Sequence, residues 1–255
     1  MPGVAVPGVA VQDRRGAGIA IIAPMKTTAS NATDIGALIF DIDGTMCNSM
    51  PSHDEAWVQF LSARGIAIDV ERFLSETAGL RNAEIVASYL SAVKPMSDAQ
   101  AAAIGREKEA VYRELYRPRL APIAGLHAAL DQLEAAGLTL GVATSADRDN
   151  VAFTLDGLGI GARFATVVGA EDVTRGKPHP DGYLLASERL GILPAACLVV
   201  EDSRVGIEAA RRAGMRVAVI LSSLAPDDPA LKADHVVGAA PDFSRLDLLR
   251  LVSMR

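Results

Sequence analysis

The chain has 255 residues, of which 50% are hydrophobic and 22% are charged, and its formal net charge is −6 at pH 7. This length fits one large domain or a core domain with a modest insertion, and the acidic balance without a long basic stripe argues against a nucleic-acid partner. The sequence has no run of about 18 apolar residues, so we expect no membrane span and no membrane partner. Its two cysteines, Cys47 and Cys197, are too far apart to indicate a zinc motif or a disulfide framework, and we expect a cytoplasmic protein.

The first 35 residues differ in composition from the rest of the chain. The pentapeptide PGVAV occurs twice within the first 11 residues. Small residues, proline and glycine offer little side-chain area to bury, so we predict a disordered tail over residues 1–35. Arg14-Arg15 and the apolar stretch after them faintly resemble an export signal, but that stretch is short and ends at Pro24. We favour Met25 as the native start of the protein.

From Ala37 onward, short apolar runs alternate with segments of helical spacing. The predicted strands are Ala37–Phe40, Leu138–Ala143, Thr166–Val168, Cys197–Val200, Val217–Ile220 and Val236–Val237. Leu126–Ala136 and Val205–Ala213 carry apolar residues on one helical face, and Gly214 follows the second of them as a plausible C-cap. This alternation predicts an α/β fold, with a Rossmann-like parallel sheet flanked by helices on both faces.

One stretch between the first two predicted strands interrupts the alternation and contains helical patterns throughout. These patterns cover His53–Arg64, Val70–Glu76, Ala83–Val93 and Ser97–Tyr116. We therefore predict a helical cap over residues 50–122, inserted into a catalytic core of residues 36–49 and 123–255. Such a cap would close over a site at the edge of the sheet.

Polar residues that could act in catalysis or bind a metal follow four of the predicted strands. They are Asp41, Asp43, Thr144, Ser145, Lys177, Glu201 and Asp202. Because ligands of parallel sheets bind beyond the carboxyl ends of the strands, we expect these groups to converge. Clustered carboxylates suit Mg²⁺, and one aspartate beside the metal would attack phosphorus as a nucleophile. Lys177 would neutralise the transferring phosphoryl group, and the hydroxyl of Thr144 would bind its oxygens.

The motifs DIDGT, TS after a strand, GKPHPD and VVEDS occur in this order, and together they resemble the four motifs of the haloacid dehalogenase superfamily. The resemblance implies that Asp41 is the nucleophile and that Asp43 is the general acid and base. It also implies that Mg²⁺ is held by Asp41, the backbone carbonyl of Asp43 and Asp202, with Glu201 as a further ligand or just outside the ligand set. An aspartate at position 43 favours phosphoryl transfer over dehalogenation.

The segment CNSMPSHDEAW resembles the β-phosphoglucomutase-like branch of this superfamily and its sugar-phosphate phosphatase relatives. The resemblance implies that His53 helps to position the acid/base, and the stretch GLRNAEI makes Arg81 a candidate substrate contact. Lys108 is a further candidate for substrate binding. Alternatives remain open, since His53 could be a polar surface group and the mixed charges around Lys108 could form a solvated helix face.

Two activities fit these motifs, namely phosphate hydrolysis and a phosphosugar mutase reaction. A non-catalytic receiver domain is an alternative of another class. A mutase must hold a second phosphate, and the mutase pattern supplies a serine, a lysine and an asparagine where this chain has Ala146, Asp147 and Arg148. The acid at Asp147 favours hydrolysis, so we predict a Mg²⁺-dependent phosphatase of a small phosphorylated metabolite, with a phosphosugar mutase as the alternative. A non-catalytic receiver domain would also gather acids and a lysine. We expect a monomer.

Overall fold

The computed structural model describes residues 34–77, 82–90 and 96–254. Within them, six parallel strands form one sheet in the order β3-β2-β1-β4-β5-β6. The strands are β1 (Ala37–Phe40), β2 (Thr139–Ala143), β3 (Thr166–Val168), β4 (Cys197–Glu201), β5 (Arg216–Ile220) and β6 (Val236–Ala240). The predicted α/β fold with a parallel sheet is confirmed. The predicted N-terminal tail lies almost entirely outside the described residues.

The central strand β1 is apolar because both of its faces are covered. Leu38 and Phe40 belong to one buried layer, whereas Ala37 and Ile39 belong to the layer on the opposite face. All four residues are fully buried. A side chain of this kind contributes about 1.5–3 kcal/mol when it is removed from water. The apolar run therefore fixes β1 in the middle of the sheet, and the polar residues that follow it must emerge at the sheet's edge.

Among the described residues, five helices cover the two faces of the sheet. They are α5 (Leu126–Ala135), α6 (Arg148–Gly157), α7 (Asp181–Leu190), α8 (Arg204–Arg212) and α9 (Leu248–Ser253). The buried side chains of α5, α6 and α9 belong to the layer of Leu38 and Phe40, and those of α7 and α8 belong to the opposite layer. This arrangement places the N-termini of α6 and α8 close to the carboxyl ends of β2 and β4.

The chain between β1 and α5 is mainly helical in the part that the structure describes. It contains α1 (Met50–Ser62), α2 (Val70–Thr77), α3 (Asn82–Ile85), a π-helical turn (Val86–Leu90) and α4 (Asp98–Tyr116). We call these elements the helical insertion. Trp57 packs edge-on against Phe60 and Phe73, with ring centroids 5.9 and 6.2 Å apart, in a small apolar core of its own. Tyr112 and Tyr116, near the end of α4, instead join the main core. None of the described helices is both long and apolar enough to cross a lipid bilayer.

Candidate active site

The first site residues lie in the turn that follows β1. The backbone N–H of Asp41 still donates to the carbonyl of Val200, at 3.0 Å, so Asp41 stays in register with β4. The chain then turns at Gly44, whose φ of 78° favours glycine. A Cβ at Gly44 would lie only 1.9 Å from Oδ2 of Asp202. A glycine is therefore required at position 44 so that Asp202 can approach the turn that follows Asp41.

Three buried carboxylates meet at this point, with one oxygen from each of Asp41, Glu201 and Asp202 lying within 4.8 Å of the others. Burial raises the pKa of Asp41 to about 7, an effect that Lys177 opposes and Glu201 reinforces. Burial also raises the pKa of Asp202 to about 8, and repulsion from Glu201 and Asp41 adds to this. A divalent cation would relieve the repulsion, and carboxylate oxygens are the donors that Mg²⁺ prefers. The donor set therefore fits the predicted metal, with Asp41 and Asp202 as the residues that would hold it.

Lys177 provides the positive charge beside these acids. Its Nζ donates to Oδ1 of Asp41 and to Oε1 of Glu201, both at 2.6 Å. Burial opposes the charge on this amine, but attraction to Asp41 and Glu201 holds the pKa of Lys177 well above its usual value. The lysine that the sequence placed on a loop after β3 thus contacts the predicted nucleophile directly.

Glu201 is fully buried and its carboxylate is saturated with hydrogen bonds. Oε1 accepts from Lys177 and from the hydroxyl of Tyr183, at 2.6 and 3.0 Å. Oε2 accepts from the backbone N–H groups of the next two residues and from the hydroxyl of Ser203, at 2.7 to 2.9 Å. A Cβ at Gly206 would lie 1.7 Å from Oε1, so the carboxylate is enclosed beneath the start of α8. Of the two predicted roles, this geometry favours the position outside the metal's ligand set, where Glu201 orients Lys177.

Asp43, the predicted acid/base, lies between the core and the helical insertion. Its Oδ1 accepts from the hydroxyl of Ser49 at 2.6 Å and lies 3.6 Å from Nε2 of His53. Burial opposes the charge on this carboxyl, but the interactions with His53 and Ser49 outweigh it and hold the pKa of Asp43 below its usual value. The ring of His53 stacks on Tyr112 with centroids 3.7 Å apart. His53 therefore contacts Asp43 and is not a free surface group, and its role in positioning the acid/base stays a prediction.

Lys108 lies behind His53 on α4. Its side chain is 1% exposed, so the alternative that it lies on a solvated helix face is wrong. Nζ lies 2.8 Å from Nδ1 of His53 and 3.0 Å from Oε1 of Glu109. Because an ammonium group only donates, Nδ1 must accept, which leaves the ring proton on Nε2 facing Asp43. Lys108 thus sets the tautomer of His53 rather than lying on an open surface.

The predicted hydroxyl pair, Thr144 and Ser145, lies in the loop that follows β2. Thr144 is buried, and its Oγ1 accepts from the backbone N–H of Ala146 at 3.2 Å, whereas Ser145 is exposed. A small cavity of about 70 Å³ lies beside both residues. Other polar residues in its lining are Arg175, Lys177, His179 and Tyr183. The structure therefore brings Thr144, Ser145 and Lys177 to one recess.

Other polar residues of this region were not singled out from the sequence, among them Ser49, Glu109, Asn150, Tyr183 and Ser223. Tyr183 and Ser223 donate to Glu201 and Asp202 respectively, and Glu109 and Asn150 contact each other. These residues come from separate elements, so only the folded chain shows that they meet. Arg81, the predicted substrate contact, lies outside the described residues.

The chain resembles known proteins over most of its length. A family model described as haloacid dehalogenase-like hydrolase matches residues 35–214. Protein CbbY of Rhodobacter capsulatus is 32% identical over 220 residues, which cover 83% of this chain and 95% of that protein. Fructose-1-phosphate phosphatase YqaB of Escherichia coli is 31% identical over 182 residues, covering 70% and 92%. A solved HAD hydrolase of family IA, variant 3, from Entamoeba histolytica is 26% identical, with a TM-score of 0.78 over 86% of this chain and 98% of that one.

Proposed function

The chain belongs to the haloacid dehalogenase-like hydrolase family and hydrolyses phosphate esters, and from this we propose a narrower function. The substrate is a small sugar phosphate, and the reaction passes through an aspartyl-phosphate intermediate. The observation that carries this proposal is the pair of 2.6 Å contacts by which Lys177 joins Asp41 to Glu201 beside Asp202. Membership in a hydrolase family argues against a non-catalytic receiver domain. The similarity to a fructose-1-phosphate phosphatase supports a sugar phosphate as the substrate class.

In the first half-reaction, Asp41 would attack the substrate's phosphorus. Lys177 holds Oδ1 of Asp41, so we assign the attack to Oδ2. The new Oδ2–P bond forms as the bond from phosphorus to the sugar oxygen breaks, and that oxygen takes a proton from Asp43. The sugar leaves as an alcohol, and the phosphoryl group remains on Asp41. Mg²⁺, held by Asp41 and Asp202, would supply positive charge that stabilises the phosphoryl oxygens.

In the second half-reaction, Asp43 would act as the base. Its carboxylate accepts a proton from water, the water oxygen bonds to phosphorus, and the Oδ2–P bond breaks to release phosphate and restore Asp41. The low pKa of Asp43 keeps this base ionised when no phosphate is near. A bound phosphate dianion favours the protonated form, because a nearby like charge raises the pKa of a carboxyl. One group can therefore serve both steps.

Hydrolysis fits the loop after β2 better than a mutase reaction does. Asp147 caps α6 by accepting from the backbone N–H of Asn150 at 2.8 Å, so the acid belongs to the helix terminus. The side chain of Arg148 is exposed, and its backbone N–H donates to Glu171 at 3.1 Å. A carboxylate at this place would repel the second phosphate that a mutase must hold. Incubation with β-glucose 1-phosphate and a bisphosphate activator tests the alternative, since glucose 6-phosphate without free phosphate would contradict hydrolysis.

We propose further that the helical insertion acts as a cap, with boundaries near residues 50 and 122. The contact of His53 with Asp43 supports this role, because it joins the insertion to the predicted acid/base.

The test of the function is a screen of several dozen sugar and polyol phosphates with Mg²⁺, in which phosphate release is measured. At least one sugar phosphate should be hydrolysed by the native chain and not by Asp41→Asn. A screen without phosphate release, or release that survives this substitution, would contradict the proposal.

A further inference from the structure

One buried amide joins the core to the helical insertion. Asn150, in the first turn of α6, is 3% exposed. Its Nδ2 donates to Oε2 of Glu109 at 2.6 Å, and its Oδ1 accepts from Nη1 of Arg113 at 2.7 Å. Glu109 and Arg113 lie one turn apart on α4, so the donor and the acceptor of a single side chain bind the same helix at two points. We call Asn150, Glu109 and Arg113 the latch.

The latch is continuous with the residues that surround the acid/base. Oε1 of Glu109 accepts from Lys108 at 3.0 Å and from Asn82 at 2.5 Å. Lys108 in turn contacts His53, which faces Asp43. Glu109 itself is 4% exposed. A buried carboxylate thus connects three helices of the insertion to one helix of the core.

We propose that Asn150 is a positioning residue that latches α4 to the core, so that His53 and Lys108 reach Asp43 only while the latch is formed. The consequence for catalysis rests on the proposed phosphatase function, whereas the latch itself does not. The latch lies beside an apolar contact between the same two helices, in which Tyr112 of α4 packs on Phe153 of α6 with ring centroids 6.2 Å apart. The polar groups of the latch can be hydrated when the insertion tilts about that contact, so the closure is reversible.

The decisive variants change the polarity of one contact at a time. Asn150→Asp keeps an acceptor for Arg113 but sets a second carboxylate against Glu109. When Glu109→Gln is combined with Asn150→Asp, the new amide on α4 donates to the new carboxylate on α6, and the amide's carbonyl still accepts from Lys108. In Glu109→Gln alone, the new amide NH₂ faces a donor in either orientation, because Asn150 donates on one side and Lys108 donates on the other. The double variant should therefore function better than either single variant, which is a coupling that general destabilisation does not produce.

Asn82→Asp is the matched control. It sets the same new carboxylate against Glu109 but from α3, so the repulsion stays within the insertion. For each variant, small-angle X-ray scattering gives the radius of gyration, and steady-state kinetics with p-nitrophenyl phosphate and Mg²⁺ gives kcat and KM. The scattering measurement does not depend on activity, so a failure of the latch can be distinguished from a failure of the proposed function.

Asn150→Asp should enlarge the radius of gyration and lower kcat by about 10- to 100-fold, as expected for the loss of a buried hydrogen bond to a charged group, because the attack of water on the phosphorylated enzyme needs Asp43 in place. The double variant should return to within about threefold of the native chain, and Asn82→Asp should leave the radius unchanged. The proposal is overturned if Asn150→Asp keeps the native radius, if Asn82→Asp opens the molecule equally, or if the double variant is no better than the single ones. If Asn150→Asp does not fold, the comparison of Glu109→Gln with the double variant decides the outcome alone.

Discussion

Replacing Lys177 by methionine tests the electrostatics of the site most severely. The substitution removes both 2.6 Å contacts and leaves Asp41 and Glu201 as buried carboxylates without their cation. Methionine is unbranched and fills similar space, so the main loss is the charge. Removing one partner of a buried ion pair costs about 3–5 kcal/mol. We therefore expect the free energy of unfolding to fall by about that amount in urea titrations at pH 7 with a chelator present.

Three comparisons make this result interpretable. Lys232→Met, at an exposed lysine, should change the free energy of unfolding by less than about 0.5 kcal/mol. Adding Glu201→Gln to Lys177→Met should recover part of the loss, since it removes one of the two uncompensated charges. Added Mg²⁺ should also stabilise Lys177→Met, because the cation would bind Asp41, one of the two carboxylates that lose the lysine. A loss below about 1 kcal/mol for Lys177→Met would refute the claim that a charged lysine neutralises ionised carboxylates here.

Three further substitutions test other parts of the account. Asp41→Asn should abolish phosphate release while leaving the circular dichroism spectrum unchanged, and substantial residual turnover would exclude Asp41 as the nucleophile. Asp43→Asn should slow turnover of a sugar phosphate by about 10²–10⁴-fold, and an unchanged steady-state rate would reject the acid/base role. Gly44→Ala should weaken Mg²⁺ binding measured by calorimetry at least about tenfold, because its Cβ would lie 1.9 Å from Oδ2 of Asp202, and native affinity would show that Asp202 does not need this approach.

Much of the fold could be predicted from local pattern. The apolar runs mark strands because a parallel sheet buries both faces, and β1 and β3 agree with the predicted bounds to the residue. Helices α6, α7 and α9 were not predicted, and α9 has only 6 residues, too few to show a helical period. The residues at the strand ends were predictable because the carboxyl edge of a parallel sheet collects whatever follows its strands.

The surroundings of Asp43 could not be predicted in the same way. Lys108 and Glu109 stand in a run of mixed charges, which is typical of a solvated helix, yet both are buried. Their burial depends on His53, which lies 55 residues from Lys108 in the chain, and on Asn150, which lies 41 residues from Glu109. No periodicity encodes such distant pairings, because the first arises when α1 packs on α4 and the second when α4 packs on α6.

The central claim is that a carboxylate of this chain accepts the phosphoryl group before water does. The most direct measurement mixes Asp43→Asn with p-nitrophenyl phosphate and Mg²⁺, quenches in acid and maps phosphopeptides by mass spectrometry. The nitrophenolate leaves without an acid, whereas the attack of water lacks its base, so the intermediate should accumulate. We predict a phosphoryl group on Asp41, labile to hydroxylamine and lost when Asp41→Asn is added. Turnover with no phosphorylated peptide, or with the phosphoryl group on another residue, would contradict the account.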